Sequence, residues 1–143
     1  MFRTILLTID LNEAASWQEA LPQAVELIRA SGGTLHVMSV VPDMGTPLVE
    51  GFFPPDFEKN AVAAAAHALD DLVKEHVPEG ISVKQHLAYG DIHHKVLETI
   101  GQVNCDLVVM ASHQPDRVRE FLVGSNADRV VRRSPVSVLV VRA

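Results

Sequence analysis

The chain has 143 residues, 48% of them hydrophobic, 21% charged and 5% aromatic, which fits one domain around one core built from Val, Leu, Ile and Ala. Its 18 acidic against 12 basic side chains leave a formal charge of −6, a surface that repels phosphate backbones and argues against nucleic acid as a partner. A lone cysteine, Cys105, excludes an internal disulfide and any paired-cysteine metal or redox motif.

From the N-terminus, MFRTILLTID places one Arg before a short apolar run that Asp10 interrupts. It is too short for a signal sequence, and no run reaches the ~18 apolar residues of a membrane span, so the expected compartment is the cytoplasm, with no membrane partner. Residues 4–9 (TILLTI) read as a first strand. Residues 13–31 set Leu21, Val25 and Ile28 on one stripe, the pattern of a helix, which Gly32 and Gly33 end. A second strand is expected at 34–41, followed by a long connection, 42–56, with four prolines, two glycines and Phe52–Phe53 at its centre. The phenylalanines read as packing back onto the domain rather than stacking on a ligand.

The Ala-rich segment 57–76 carries Ala65, Leu69, Leu72 and Val73 on one helical face. The run 81–88 alternates Ile81, Val83, Gln85 and Leu87 with polar neighbours, as an edge strand does. A helix over 91–103 groups Ile92, Val96, Leu97 and Ile100, with Asp91 as its N-cap. A fourth strand follows at 106–111, with Cys105 just before it as a small buried or half-buried residue. The last helix, 125–133, turns Ala127, Val130 and Val131 inward and leaves Arg129, Arg132 and Arg133 as a solvated face. The final strand is 136–141. Strands alternating with helices in this way predict a parallel, doubly wound α/β sheet, and no internal repeat or interdomain linker breaks residues 1–143.

In such sheets ligands bind beyond the carboxyl ends of the strands, where the strand order reverses. The residues expected to matter therefore follow the strands: Thr8, Ile9 and Asp10; Val40; Gly90; Ala111, Ser112, His113 and Gln114; and Gly124, Ser125 and Asn126 at a helix start. The last three offer backbone N–H groups, polar side chains and the positive end of a helix dipole, the chemistry of a phosphate site. The same residues also suit an ordinary helix cap. No P-loop, dinucleotide fingerprint or nucleophile elbow occurs. Adjacent His93 and His94 diverge by about 100° on a helix and are not expected to share a metal.

The segment ASHQPDRVREFLVGSN (111–126) keeps the spacing of a G-x2-G-x9-G-[ST] motif, and with TILLTIDLN (4–12) and ADRVVRRSPVSVLVVR (127–142) the whole chain resembles the universal stress protein family, in particular a branch with an ASH-x-PD segment followed by GSN. Both early motif glycines are replaced, by Ala111 and Gln114, and Thr8 stands where a proline is common. The resemblance implies an adenine-nucleotide alpha-hydrolase-like fold with strand order 3-2-1-4-5. It also implies a regulatory role in the stress response, exerted by binding ATP, ADP or AMP, with or without Mg²⁺.

Carried over by position, Asp10 meets the ribose or lies near the adenine. The Val40 backbone reads the adenine edge, and Gly90 leaves room beside the ribose or phosphates. Ser112, His113 and Gln114 approach the phosphates, which Gly124, Ser125 and Asn126 hold. The resemblance further implies a homodimer through 136–141 and a regulatory protein partner. No residue is placed to activate water, so any ATP hydrolysis is expected to be slow. The rival readings are a nucleotide-free dimeric interaction protein, which Ala111 and Gln114 favour, and a slow ATPase.

Overall fold

The apolar runs become five strands, β1 (Thr4–Ile9), β2 (Thr34–Pro42), β3 (Ser82–Gly90), β4 (Leu107–Ser112) and β5 (Ser137–Arg142), in a computed structural model that describes residues 1–42, 57–112 and 125–142. They form one sheet in the order β3-β2-β1-β4-β5, and every pairing is parallel. The helices are α1 (Ala20–Ser31), α2 (Phe57–His76), α3 (Ile92–Val103) and α4 (Ser125–Arg133). Phe52 and Phe53 lie outside the described residues.

The period-2 alternation of a strand sorts its side chains to two faces, and β1 shows both. Ile5, Leu7 and Ile9 join Leu21, Val25 and Ile28 of α1 and Leu69 and Val73 of α2. Leu6 points the other way, among Met38, Val108, Val96 and Ile100 of α3, and Ala127 and Val130 of α4. Helices α1 and α2 therefore cover one face, and α3 and α4 the other. Each fully buried Leu, Ile or Val contributes about 1.5–3 kcal/mol, which explains why β1 and β4 read as nearly continuous apolar runs. Strand β3 lies at the edge, as its alternation predicts, and runs two residues beyond the expected Ala88, paired with β2 to Pro42↔Gly90.

Three expectations need correction. The helix expected over 13–31 is broken: Ala14–Ser16 is a 3-10 turn and α1 begins at Ala20. Backbone bonds to the third residue, Ser16 N–H to Glu13 O (3.0 Å) and Trp17 N–H to Ala14 O (3.0 Å), tighten this stretch, and the Ser16 hydroxyl ties it to the end of β1. Val131, expected inward, is 45% exposed, since it sits about 100° round the helix from buried Val130. Asp91 occupies the N-cap of α3, but its carboxylate makes no capping bond.

Gly32 and Gly33 end α1 for different reasons. Gly32 takes the left-handed conformation (φ 74°) and donates its N–H to Ile28 O at 2.8 Å. At Gly33 the constraint is space: a Cβ there would come within 1.8 Å of Arg3 O, which already accepts the Thr34 N–H at 2.8 Å. At the other sheet margin, His36 Nδ1 and His86 Nε2 lie 2.7 Å apart with their rings stacked, tying β3 to β2. Burial holds both imidazoles below the ordinary 6.5; for His36 the neighbouring His86 and Lys84 add to this, and for His86 Lys84 does.

Two outcomes follow. Gly33→Ala is expected to cost about 2–4 kcal/mol by forcing backbone apart, whereas Gly101→Ala, in open space within α3, gains about 0.5–1 kcal/mol; chemical denaturation measures both. For the histidine pair, folded values below the unfolded 6.5 mean that its stabilisation is complete above pH 6.5 and is lost as the pH falls through the folded values. Melting temperature should thus drop on acidification from pH 7, and drop less steeply in His86→Gln.

Candidate functional site

Strands β2 and β4 flank β1 and lead to opposite halves of the sheet, so a crevice opens at their carboxyl ends. There the structure has a cleft of about 720 Å³, within the range of small-ligand sites. The end of β1 forms its centre with Thr8, Ile9 and Asp10, β2 supplies Ser39 and Val40, and β4 supplies Met110 and Ala111. Ser125 and Asn126 enter from the first turn of α4, where backbone N–H groups lack helical acceptors. Ile92 and Val96 of α3 complete that side.

Asp10 is exposed and fixed. Its backbone N–H donates to Ser16 Oγ at 2.8 Å, and Asn12 N–H donates to its Oδ1 at 2.9 Å, an Asx turn. Beneath it, buried Ser39 donates its hydroxyl to Ile9 O at 3.0 Å. This bond satisfies the last carbonyl of β1 and locks β2 to it at the floor of the cleft.

Of the residues singled out from sequence, Thr8, Ile9, Asp10, Val40, Ala111, Ser125 and Asn126 come together on the cleft. Gly90 and Ser112 are not among its lining residues. Gly90 has φ 137° and faces Lys95, whose Cε lies 3.2 Å from where a Cβ would be. Ser112 is 2% exposed, and its hydroxyl faces Arg142 Nη1 at 3.5 Å, toward β5. His113, Gln114 and Gly124 lie outside the described residues.

Sequence reasoning missed Ser16, Ser39 and the wall of α2, where Ala61, Ala64, Ala65 and Ala68 line the cleft. The alanine spacing of three, one and three was a usable signal, since it marks one helix stripe with side chains too small to fill a core. Ser39 gave none, because a serine near a strand end has many uses.

One cluster near the rim departs from expectation. The rings of His93 and His94 do not diverge: their centroids are 4.3 Å apart, and Asp91 Oδ2 lies 3.3 Å from His93 Nδ1 and 3.4 Å from His94 Nε2. Side-chain rotation folds both imidazoles onto one carboxylate, and the three ligand atoms fall within 4.8 Å of one another. Arg129 Nη1, however, is 3.4 Å from the same His93 nitrogen, and the positive end of α3 also opposes a cation. The cluster thus acts as a polar anchor between α3 and α4. Burial is the main cause that lowers His93 from its ordinary value, with His94, Arg129 and Arg133 adding to it and Asp91 opposing. Arg132 pairs with Asp128 at 3.0 Å on the solvated face.

These features define a doubly wound α/β protein with a cleft where its strand order reverses. The family model for the universal stress protein family matches residues 1–142, and the chain belongs to that family. It is 28% identical over 144 residues to universal stress protein G of Escherichia coli O157:H7, covering 99% of this chain and 100% of that protein. Its fold matches the structure of universal stress protein UspA from Lactobacillus plantarum with a TM-score of 0.73 at 24% identity, covering 99% and 98% of the two chains. A universal stress protein family structure from Arabidopsis thaliana, solved with AMP bound, matches with a TM-score of 0.67 at 16% identity, covering 97% and 90%. Among the described residues, no helix is long and apolar enough to cross a membrane.

Replacing Ser39 with Ala should cost about 1 kcal/mol, the net worth of one buried hydrogen bond. The same change should speed amide exchange at the carboxyl end of β1 while leaving β5 unaffected, as hydrogen-exchange mass spectrometry can show.

Proposed function

We propose that the cleft binds an adenine nucleotide (ATP, ADP or AMP, the triphosphate with Mg²⁺) and that the protein acts as a regulatory module in the stress response, read by a protein partner according to occupancy. The observation that carries this reading is that Asp10 and the start of α4 line one cleft. Among the described residues only Oδ1 of the Asp10 carboxylate has a partner, the Asn12 amide, which leaves Oδ2 to accept ribose hydroxyls. Ser125, Asn126 and the first N–H groups of α4 suit phosphate oxygens. The apolar Val40, Ile92 and Val96 suit a planar base, with the Val40 backbone reading its edge. The AMP held by the Arabidopsis family member supports the nucleotide class.

His113, Gln114 and Gly124 are proposed as further phosphate contacts, and Gly90 as the residue that leaves room beside them. Ser112, buried with its hydroxyl facing Arg142, is not proposed as a contact. No catalytic residue is proposed, and hydrolysis, where present, is slow. A homodimer through 136–141 belongs to the same proposal: β5 closes one end of the sheet order, and its Val138, Leu139 and Val140 are only half-buried, so its outer edge suits pairing with a second copy.

The replacement of two motif glycines by Ala111 and Gln114 favours one rival, a nucleotide-free dimeric interaction protein. Denaturing freshly purified protein and identifying the released nucleotide by chromatography separates the two. Near-stoichiometric nucleotide supports the first reading. Calorimetry should then show Asp10→Ala and Ser125→Ala each weakening binding by about ten- to a hundredfold, the worth of a hydrogen bond in which one partner, the carboxylate or the phosphate, is charged. Empty protein with no heat on adding ATP-Mg²⁺ selects the rival.

A further inference from the structure

Asp10 would be a poor recognition group if it could turn. It lies just past the end of β1 and is exposed, so neither the sheet nor the core holds it. What holds it is a turn centred on one hydroxyl. Ser16 Oγ accepts the Asp10 N–H at 2.8 Å and lies 2.9 Å from Asp10 O and 2.7 Å from Glu13 O. A serine hydroxyl has one proton and two lone pairs, so it accepts the amide and directs its proton between the two carbonyls. The peptide groups on both sides of Asp10 are thus tied to one atom, and Glu13 N–H closes the loop on Asp10 O at 3.1 Å.

The Asn12 amide then fixes the carboxylate itself by binding Oδ1. It can do so only while the 10–16 loop keeps its shape. The break in the helix expected over 13–31 is part of the same device: the 3-10 turn Ala14–Ser16 brings the hydroxyl back over the strand end, where a continuous helix would carry it away.

We infer that Ser16 is the positioning residue for Asp10, which it aims at the cleft so that Oδ2 discriminates for a ribose bearing both of its hydroxyls. This rests on the nucleotide reading above. Preorganised acceptors of this kind bind without the ordering cost that a mobile side chain incurs, so loss of the hydroxyl should affect the sugar contact and spare the base and phosphate contacts.

The test compares wild type, Ser16→Ala, Ser16→Thr and Asp10→Asn in the full chain, with two readouts. In ligand-free protein, NMR measures exchange of the Asp10 amide. By calorimetry, the ratio of Kd for 2′-deoxyATP to Kd for ATP measures discrimination. Ser16→Ala should speed Asp10 amide exchange more than tenfold while the amides of Leu6 and Leu7 stay protected. It should also lower the ratio by about tenfold, toward that of Asp10→Asn, through weaker ATP binding at an almost unchanged Kd for the deoxy nucleotide. Ser16→Thr, which keeps the hydroxyl, should restore both.

An unchanged ratio in Ser16→Ala, equal weakening of both nucleotides, or an Asp10 amide that stays protected overturns the positioning role alone. Wild-type protein that binds neither nucleotide overturns the nucleotide reading, and this inference with it.

Discussion

The pairing of β1 on both sides is the constraint from which the rest of the molecule follows. Its residues bond in parallel to β2 from Thr4↔Thr34 to Ile9↔Ser39 and to β4 from Ile5↔Leu107 to Leu7↔Val109. A strand hydrogen-bonded along both edges and covered on both faces must be mostly apolar, and Ile5, Leu6 and Leu7 are fully buried. Because its neighbours lead to opposite halves of the sheet, the helices that follow them cover opposite faces. The space beyond its carboxyl end is left for side chains to line rather than fill. The cleft is thus a product of topology before any particular residue is chosen.

What the sequence adds at that spot is a set of short polar atoms in place of bulk. Ser39 satisfies the last carbonyl of β1, Ser16 bonds the peptide groups beside Asp10, and Asn12 holds one carboxylate oxygen. At the opposite end of the sheet the same economy appears: Asp106 accepts the N–H groups of Arg3 and Thr4 at 3.0 and 3.1 Å, while Gly33 lets the chain pass close against Arg3. Both ends of β1 are therefore closed by side chains from distant parts of the chain, which leaves the strand one register and one exit direction.

The sheet was legible in the sequence because its signals are strong and local. Apolar runs of six to eight residues gave the strands to within two residues, and spacings of three and four gave the apolar stripes of α1, α2 and α3, though not the burial of His93 and Thr99. Two of the errors share one physical cause: they involve contacts of polar side chains that local periodicity does not encode. Helical periodicity could not show that the Ser16 hydroxyl would find Asp10 and break the helix before α1. Nor could helical-wheel geometry show that two histidines about 100° apart would both rotate onto Asp91. The cleft's centre at Asp10 and Ser125 was legible because strand ends and helix starts are where α/β sheets present polar groups. The alanine wall was not read as such, because alanine in a helix ordinarily signals only propensity.

Helix α2 carries a further consequence. Over twenty residues its only fully buried side chains are Leu69 and Val73, and its tie to the neighbouring strand, from Gln85 Nε2 to Asp70 Oδ1 at 3.0 Å, falls in the same half. The first half rests its alanines against the cleft instead of the core. Local opening costs least where least apolar surface is lost, so among the described residues the buried anchors of this helix lie from Leu69 onward. A molecule in the cleft would rest against those alanines, so the packing of their half of α2 would depend in part on occupancy.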